Sequence, residues 1–385
     1  MLLLVVDKIF MKLPIWIFVP LICCSAAAEG LTRQQAEELV KKDWAATLES
    51  LTKERADEMK NKSITIGDKT MPFLEKTVGA EPEGGRPLFI SMHGGGSAPP
   101  QVNDQQWKNQ IKLYNPEGSL YIAPRAPTNT WNLWSERHIE PLYDRLIANC
   151  VALHKINPNK VYIMGYSAGG DGVYQLGPRM ADRWAACAMM AGHPNGASML
   201  NMRNTPMAIQ VGGQDAAFKR NEVCKNWAEK LDVLEKENPG FYPHFFKSYP
   251  ECGHWMNLQD AVAVPWMLKF TRNPWPKSVT WELRNVVSPR FFWLAVDEAM
   301  EKNGQVIEAR CQGQTISLTS KDVKDLTLRL SDELLKLDEP VIVEWNGKKV
   351  FSGVVARSAD AVKKSLAERA DPATIATALL SVTAP

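Results

Sequence analysis

The stretch KVYIMGYSAGG, residues 160–170, decides the fold. An apolar run ends at Gly165, Ser167 stands between two glycines, and a segment with helical periodicity follows. A short apolar strand that leads directly into a helix is typical of a parallel sheet covered by helices. Glycines two residues before and after Ser167 allow the strand and the helix to meet at a sharp turn. The pattern therefore predicts a serine exposed at the carboxyl edge of such a sheet.

The chain on both sides of this stretch alternates between strand and helix patterns. Predicted strands lie at 86–93, 119–124, 160–166, 184–191, 207–212 and 244–249, and predicted helices at 141–154, 168–182, 221–237 and 258–270. Strands that alternate with helices favour a mostly parallel central sheet with helices on both faces. The predicted fold class is therefore α/β.

Two different segments flank this region. Residues 32–62 have the apolar spacing of an amphipathic helix, which Thr32 and Gln35 open in capping-box spacing. After Asn273-Pro274-Trp275-Pro276 the pattern changes to short alternating strands. We predict a leader at 1–28, a helical extension at 29–62, an α/β domain at 63–275 and a small β-rich domain of unknown role at 276–385.

The first 28 residues resemble a secretory leader. Two lysines precede the apolar run 13–24, and small residues follow it at 25–28. Met11 is an alternative start. A membrane anchor is disfavoured because the run is shorter than the ~20 residues that span a bilayer, and Cys23 and Cys24 raise the alternative of a lipid anchor. We expect a secreted or periplasmic protein with no stable membrane insertion after cleavage.

Composition limits the partners. The chain has 385 residues, with 45 Lys and Arg against 43 Asp and Glu, a net charge of +2. That balance gives no strong basic surface, so nucleic-acid binding is disfavoured. The length exceeds a single hydrophobic core, which fits two domains. The oligomeric state stays open.

Five cysteines remain after the predicted cleavage: Cys150, Cys187, Cys224, Cys252 and Cys311. An oxidising compartment permits disulfides, and the odd number leaves at least one free thiol in a monomer. The pair that we favour is Cys224 with Cys252. The alternative is that all five are small buried residues. Their spacing fits no metal site.

A serine hydroxyl becomes a good nucleophile only when a base removes its proton. Asp215 follows the strand pattern that ends at Gly212, and His254 follows the last predicted strand of the sheet. Both would lie at the same edge as Ser167. The order Ser167, Asp215, His254 is the chain order of a Ser-Asp-His triad on this topology. We predict these three as catalytic residues.

The run HGGG, residues 93–96, ends an earlier strand. Loops at this place supply one backbone N–H to an oxyanion hole, and the residue after the nucleophile supplies another. We predict Ala168 and Gly95 as donors, with Gly94 or Gly96 as alternatives to Gly95.

From about residue 86 to 272 the chain resembles the α/β-hydrolase superfamily. It is similar to secreted esterases of the carboxylesterase, feruloyl-esterase and polyhydroxyalkanoate-depolymerase-like branch. The matching segments are HGGG from His93, GYSAGG from Gly165, GGQD from Gly212 and ECGHWM from Glu251. The resemblance implies Ser167 as nucleophile, His254 as base and Asp215 as its orienting partner, without a cofactor or a metal. HGGG departs from the depolymerase-like pattern, which has a cysteine after HG.

Aromatic residues near the motifs are candidates for the substrate pocket. Tyr166, Trp131, Trp134 and Trp255 could line an aromatic acyl site, although each could equally pack in the core. His93 and Asp171 are better explained as structural residues of the loop and of the helix start.

The sequence therefore predicts a secreted serine hydrolase that cleaves short-chain or aromatic acyl esters, small or attached to a polysaccharide. Residues 193–206 are too few for a large lid over the site. Two alternatives stay open: a serine peptidase of the prolyl-oligopeptidase type, and a binding protein that kept the fold without the chemistry.

Overall fold

The computed structural model describes residues 30–385 except 286, 299, 301 and 302. The predicted leader, its start site and Cys23 and Cys24 lie outside the described residues. Within them, no helix combines the length and the apolar character that crossing a bilayer requires.

A sheet of eight strands forms the centre of the molecule, in the order β1-β2-β4-β3-β5-β6-β7-β8. Its strands are β1 (Ser63–Ile66), β2 (Lys69–Thr77), β3 (Arg86–Met92), β4 (Leu120–Pro124), β5 (Ile156–Tyr166), β6 (Ala186–Met190), β7 (Met207–Gly212) and β8 (His244–Tyr249). Strands β3 to β8 run parallel, and the hairpin of β1 and β2 joins β4 in antiparallel pairing. This arrangement confirms the predicted α/β-hydrolase fold.

Strands β3, β4, β6 and β7 are buried almost throughout. Helices on both faces explain this burial, since a parallel sheet covered on both sides consists of continuous apolar runs. The helices are α1 (Arg33–Lys60), α2 (Pro100–Leu113), α3 (Ile139–His154), α4 (Ala168–Arg179), α5 (Arg220–Glu237), α6 (Ala263–Met267) and α7 (Ala359–Glu368). Helix α2 and the β1–β2 hairpin were not predicted from the sequence. The long helix predicted at 258–270 is a 3₁₀ turn, Gln259–Val262, followed by the short α6.

Helix α1 begins with the predicted capping box. The Gln35 N–H donates to the Thr32 hydroxyl, and the Thr32 N–H donates to the Gln35 side chain. The helix buries few residues, Ala36, Leu51 and Met59 among them. Polar contacts add to this packing, because Glu58 accepts hydrogen bonds from Arg145 and Asn149 of α3. Helix α1 therefore covers one side of the α/β unit.

The segment after the α/β unit is rich in strands, as predicted. They are β9 (Ser278–Arg284), β10 (Arg290–Phe291), β11 (Leu294–Ala295), β12 (Asn303–Gln312), β13 (Thr315–Ser320), β14 (Asp325–Leu330), β15 (Val341–Trp345), β16 (Lys348–Gly353) and β17 (Ala378–Thr383). They form a five-stranded sheet, β16-β15-β13-β12-β9, and a four-stranded sheet, β10-β11-β14-β17. Trp281, Trp293 and Trp345 are fully buried here.

Buried ion pairs join this β-rich segment to the α/β unit, and we call them the seam. Asp371 accepts hydrogen bonds of 2.8 Å from both Arg183 and Arg272. Arg369 donates to Asp182 at 2.6 Å. Although burial alone would raise their pKa values, the arginines hold the pKa of Asp182 and of Asp371 below the ordinary range. Both carboxylates therefore stay charged inside the protein.

The favoured disulfide is not formed. Cys150, Cys187, Cys224, Cys252 and Cys311 are all free and buried. The Cys224 thiol donates to the Gly192 carbonyl and accepts from the Tyr174 hydroxyl, whereas the Cys252 sulfur accepts from the Gln259 amide. The two sulfurs therefore have separate partners, which agrees with the alternative of small buried residues.

Candidate active site

Ser167 lies at the turn between β5 and α4. Its backbone has φ 60° and ψ −122°, which an L-residue rarely adopts. A Cβ on Gly165 would collide with the backbone of Gly169, and one on Gly169 would collide with the Met92 carbonyl of β3. The glycines therefore let the strand, the helix and β3 approach each other. Such strain at a half-buried serine is typical of functional positions.

Three predicted residues form a continuous hydrogen-bonded chain. The Ser167 Oγ lies 2.9 Å from His254 Nε2, and His254 Nδ1 lies 2.7 Å from Asp215 Oδ2. Asp215 is buried, while 43% of the His254 side chain is exposed. The buried carboxylate can thus accept a hydrogen bond from Nδ1–H and leave Nε2 free to receive a proton from the serine.

Asp215 lies on the loop after β7. Its backbone N–H donates to the Gly212 carbonyl, and its own carbonyl accepts from the Asn221 N–H. Arg220 lies 3.8 Å from the second carboxylate oxygen, Oδ1. These contacts fix the carboxylate and place one positive charge behind it.

The loop that carries His254 follows β8 and packs against the Asp215 loop. A Cβ on Gly212 would collide with the Gly253 carbonyl. The Gln214 N–H donates to the Cys252 carbonyl at 2.9 Å. The two loops therefore lie in direct backbone contact, which determines the distance between Asp215 and His254.

Residues 94–96 form a loop beside Ser167. Gly95 and Gly96 have φ 116° and 77°, a region that favours glycine. The Asn103 side chain accepts from the Gly96 N–H at 3.2 Å, so that N–H is occupied. Within the described chain, the Gly95 and Ala168 N–H groups make no such hydrogen bond. Of the alternatives to Gly95, Gly96 is therefore the less suitable donor, whereas Gly94 also lines the site.

The His93 side chain holds this loop in place through two hydrogen bonds. Its Nε2 accepts from the Ala126 N–H at 3.2 Å, and its Nδ1 donates to the Gly94 carbonyl at 2.5 Å. Burial lowers the pKa of His93 to about 4. A neutral imidazole with its proton on Nδ1 satisfies both contacts, which agrees with a structural residue.

Ser167 opens onto a cavity of about 640 Å³. Its lining residues are Gly94, Gly95, Gln106, Asn109, Gln110, Lys112, Leu113, Tyr166, Ser167, His254 and Trp255. Helix α2 supplies the polar wall, and Tyr166 and Trp255 supply an aromatic one. The α2 residues were missed because Pro99 and Pro100 followed by polar residues hide the helix. Lys112 is the one permanently charged side chain among these lining residues, and it is exposed.

Two of the predicted pocket aromatics do not line this cavity. Trp134 is fully buried, donates its indole N–H to the His93 carbonyl at 2.9 Å and packs against the rings of His93 and Tyr143. It is a core residue, and its prediction as a pocket residue is wrong. Trp131 is 62% exposed and lies outside the cavity, next to Gly96.

Asp171, in the first turn of α4, holds the neighbouring loop. It accepts from the His193 N–H at 2.6 Å and from the Asn195 amide at 3.1 Å. Burial raises its pKa. These contacts agree with the structural role expected for it. Over the described residues, no group of three or more His, Cys, Asp or Glu side chains is arranged to hold a metal ion.

No family model matches the chain. A poly(3-hydroxybutyrate) depolymerase from Ralstonia pickettii is 27% identical over 168 residues, covering 38% of this chain and 32% of that protein. A bifunctional acetylxylan esterase/xylanase from Neocallimastix patriciarum is 27% identical over 171 residues, covering 40% and 25%. The chain thus spans about a third or less of these relatives. They agree with the branch that the motifs resemble.

Solved structures of esterases and related enzymes are also similar. A thermostable esterase has a TM-score of 0.40 and 16% identity, over 55% of this chain and 62% of its own. A poly(3-hydroxybutyrate) depolymerase from Bordetella parapertussis has a TM-score of 0.39 and 17% identity, over 54% and 86%. An acetyl xylan esterase from Aspergillus awamori has a TM-score of 0.38 and 13% identity, over 53% and 97%.

Proposed function

We propose that this chain hydrolyses carboxylic esters, with Ser167 as nucleophile, His254 as general base and Asp215 as the partner of the imidazole. The observation that carries the proposal is the chain of two hydrogen bonds from Asp215 through His254 to Ser167, which opens onto a cavity. The names of the two curated relatives, an acetylxylan esterase and a depolymerase of a polyester, support ester substrates.

The first half-reaction forms an acyl-enzyme. Ser167 Oγ attacks the ester carbonyl carbon while its proton moves to His254 Nε2, and the carbonyl π electrons move onto oxygen. The Gly95 and Ala168 N–H groups donate to that oxyanion, with Gly94 as a further donor. The tetrahedral intermediate collapses, the ester C–O bond breaks, and the alcohol leaves with the proton from Nε2.

Water completes the cycle. The water oxygen attacks the acyl carbon while His254 Nε2 accepts a proton from the water. When the acid leaves, Nε2 returns the proton to Ser167 Oγ. Asp215 accepts the Nδ1–H hydrogen bond throughout and stabilises the imidazolium. No cofactor or metal has a role in these steps.

The cavity beside Ser167 has room for the proposed acyl groups. A volume of about 640 Å³ accommodates a short-chain or aromatic acyl group. Tyr166 and Trp255 offer ring faces to an aromatic acyl group, while the amides of α2 suit a polar alcohol such as a sugar. We therefore propose water-soluble or polysaccharide-linked esters as the substrate class.

The place of action is proposed from the leader-like residues 1–28. Export to the periplasm or the medium would bring the enzyme to polymer-linked esters outside the cell. Comparing the mass of the exported and the cytoplasmic protein would reveal cleavage near Ala28, and finding the protein in the cytoplasm alone would contradict export.

Turnover of an ester series tests the reaction. The purified chain is expected to hydrolyse p-nitrophenyl esters from acetyl to octanoyl and methyl ferulate, and Ser167→Ala to lose this activity. Ser352→Ala, an exposed serine of β16, is the matched control. Turnover of a proline peptide anilide alone would favour the peptidase, and equal residual rates in both serine variants would contradict the nucleophile.

A further inference from the structure

We propose that Tyr166 is a positioning residue for His254 and acts through its hydroxyl group. This proposal rests on the proposed ester hydrolysis and assigns a role to the residue that precedes the nucleophile. From the sequence, Tyr166 was predicted only as a lining residue of the substrate pocket.

The hydroxyl joins two backbone groups of the His254 loop. It donates to the His254 carbonyl at 2.8 Å and accepts from the Met256 N–H at 2.8 Å. Tyr166 is nearly buried, and Met256 is fully buried. Both backbone groups would lose this partner if the hydroxyl were removed, and an unpaired buried polar group is strongly unfavourable.

Backbone hydrogen bonds hold this segment at its two ends, from the Cys252 N–H to the Tyr249 carbonyl and from the Gln259 N–H to the Met256 carbonyl. Residues 252–256 belong to no helix or strand, and Asn257 and Leu258 both have positive φ angles. The Gln214 N–H holds the loop before His254, through Cys252. The Tyr166 hydroxyl holds it at His254 itself and after it.

Tyr166 also shares its backbone with the nucleophile. It is the last residue of β5, and Ser167 follows it directly. Its ring meets the His254 ring edge-on at a centroid distance of 6.0 Å. One strand end therefore contributes to the positions of both the serine and the imidazole, which Asp215 also contacts at 2.7 Å, and so to the 2.9 Å distance between Oγ and Nε2.

A direct role of the hydroxyl in substrate binding is a poorer explanation. The Tyr166 hydroxyl donates its one hydrogen bond to the His254 carbonyl and accepts one from the Met256 N–H. Burial raises the pKa of Tyr166, so the group stays protonated. The ring contributes to the cavity wall, and the hydroxyl faces the loop.

Steady-state kinetics of Tyr166→Phe test the proposal, because this change removes the hydroxyl and keeps the ring. Tyr162→Phe is the matched control: it lies on the same strand, and its hydroxyl donates to the Phe270 carbonyl at 2.7 Å, away from the triad. Titration with diethyl p-nitrophenyl phosphate counts competent sites, so any unfolded fraction does not enter kcat.

For Tyr166→Phe we expect kcat on p-nitrophenyl acetate to fall about 10- to 100-fold, as displaced catalytic groups do, with KM within about twofold of wild type. Tyr162→Phe should keep the wild-type kcat. In a His254→Ala background, Tyr166→Phe should have no further effect, because its action requires the imidazole.

Three results would overturn the proposal: an unchanged kcat, whatever the change in KM, an equal loss of kcat in Tyr162→Phe, or a further loss when Tyr166→Phe is added to His254→Ala. These results differ from a failure of the proposed function, in which the wild-type chain itself would hydrolyse no ester.

Discussion

The triad and the seam both pair a buried carboxylate with a positively charged or protonatable group. They differ in whether that partner group reaches an open cavity or is itself buried. Asp215 contacts His254, whose side chain is 43% exposed and reaches an open cavity. Asp371 contacts Arg183 and Arg272, which are buried and permanently charged. An imidazole that faces a cavity can exchange a proton, whereas a guanidinium locked against a carboxylate can only hold the structure together.

The largest effect is expected on activity, from a change in the carboxylate of the triad. Asp215→Asn should lower kcat by about 10⁴-fold, because the amide cannot hold the imidazole in its productive tautomer. Steady-state assays on p-nitrophenyl acetate measure this loss. Asp232→Asn is the control, since Asp232 contacts His244 Nε2 at 3.0 Å on an exposed surface. Similar activity in both variants would remove the distinction.

Loss of a carboxylate from the seam should lower the stability of the protein. Asp371→Ala leaves Arg183 and Arg272 buried without their shared partner, so we expect the free energy of unfolding to fall by about 3–5 kcal/mol. Urea titration followed by tryptophan fluorescence measures it. Asp57→Ala, on the exposed face of α1, should change it little. The activity per folded molecule should stay near wild type, and a stable Asp371→Ala protein would contradict the seam.

The same contacts predict that a chain ending before Pro276 is unstable. Such a chain keeps Arg183, Arg272 and Asp182 but loses Asp371 and Arg369. Soluble, active protein from this truncation would show that residues 276–385 form an independent module.

Acid should act on His93, in the loop beside Ser167, and on the seam in different pH ranges. His93 has a pKa of about 4 in the folded chain and an ordinary value of 6.5, so the unfolded chain takes up its proton first. The stability that His93 contributes, about 3 kcal/mol at most, is therefore lost as pH falls from 6.5 to 4. Asp371 and Asp182 have lowered pKa values, so their contribution is present above about pH 4 and is lost below it.

Urea unfolding at several pH values distinguishes these ranges. His93→Asn should flatten the dependence of stability on pH between 6.5 and 4, and Asp371→Asn should flatten it below 4. Wild-type slopes in both variants would mean that neither group is linked to folding as described.

The smallest expected effect concerns Trp131 and Trp255, the exposed tryptophans among the described residues. Trp255→Ala should raise KM for feruloyl esters about 10-fold, because a ring that lines the cavity is lost. Trp131→Ala should change KM less than about twofold, since this ring lies outside the cavity. Equal changes in KM for the two variants would show that the cavity is not where the acyl group binds.

Local patterns in the sequence predicted part of the fold and of the candidate site, and other parts were missed. The serine turn, the strands on either side of it and the shared edge of Ser167, Asp215 and His254 were predicted from local patterns, because parallel strands bring their carboxyl ends to one edge. The α2 wall was missed because that helix is polar and begins at Pro100. Trp134 was misassigned because composition does not reveal which way a ring points. The seam joins residues 187 and 188 positions apart, and no local pattern encodes such pairs.

Covalent trapping of the nucleophile tests the central claim most directly. The intact chain is incubated with diethyl p-nitrophenyl phosphate, and its mass and the modified peptide are then determined. We predict one diethylphosphoryl group per chain, attached to Ser167, and no modification of Ser167→Ala under the same conditions. An unmodified wild-type chain, or an adduct at another residue, would contradict Ser167 as the nucleophile.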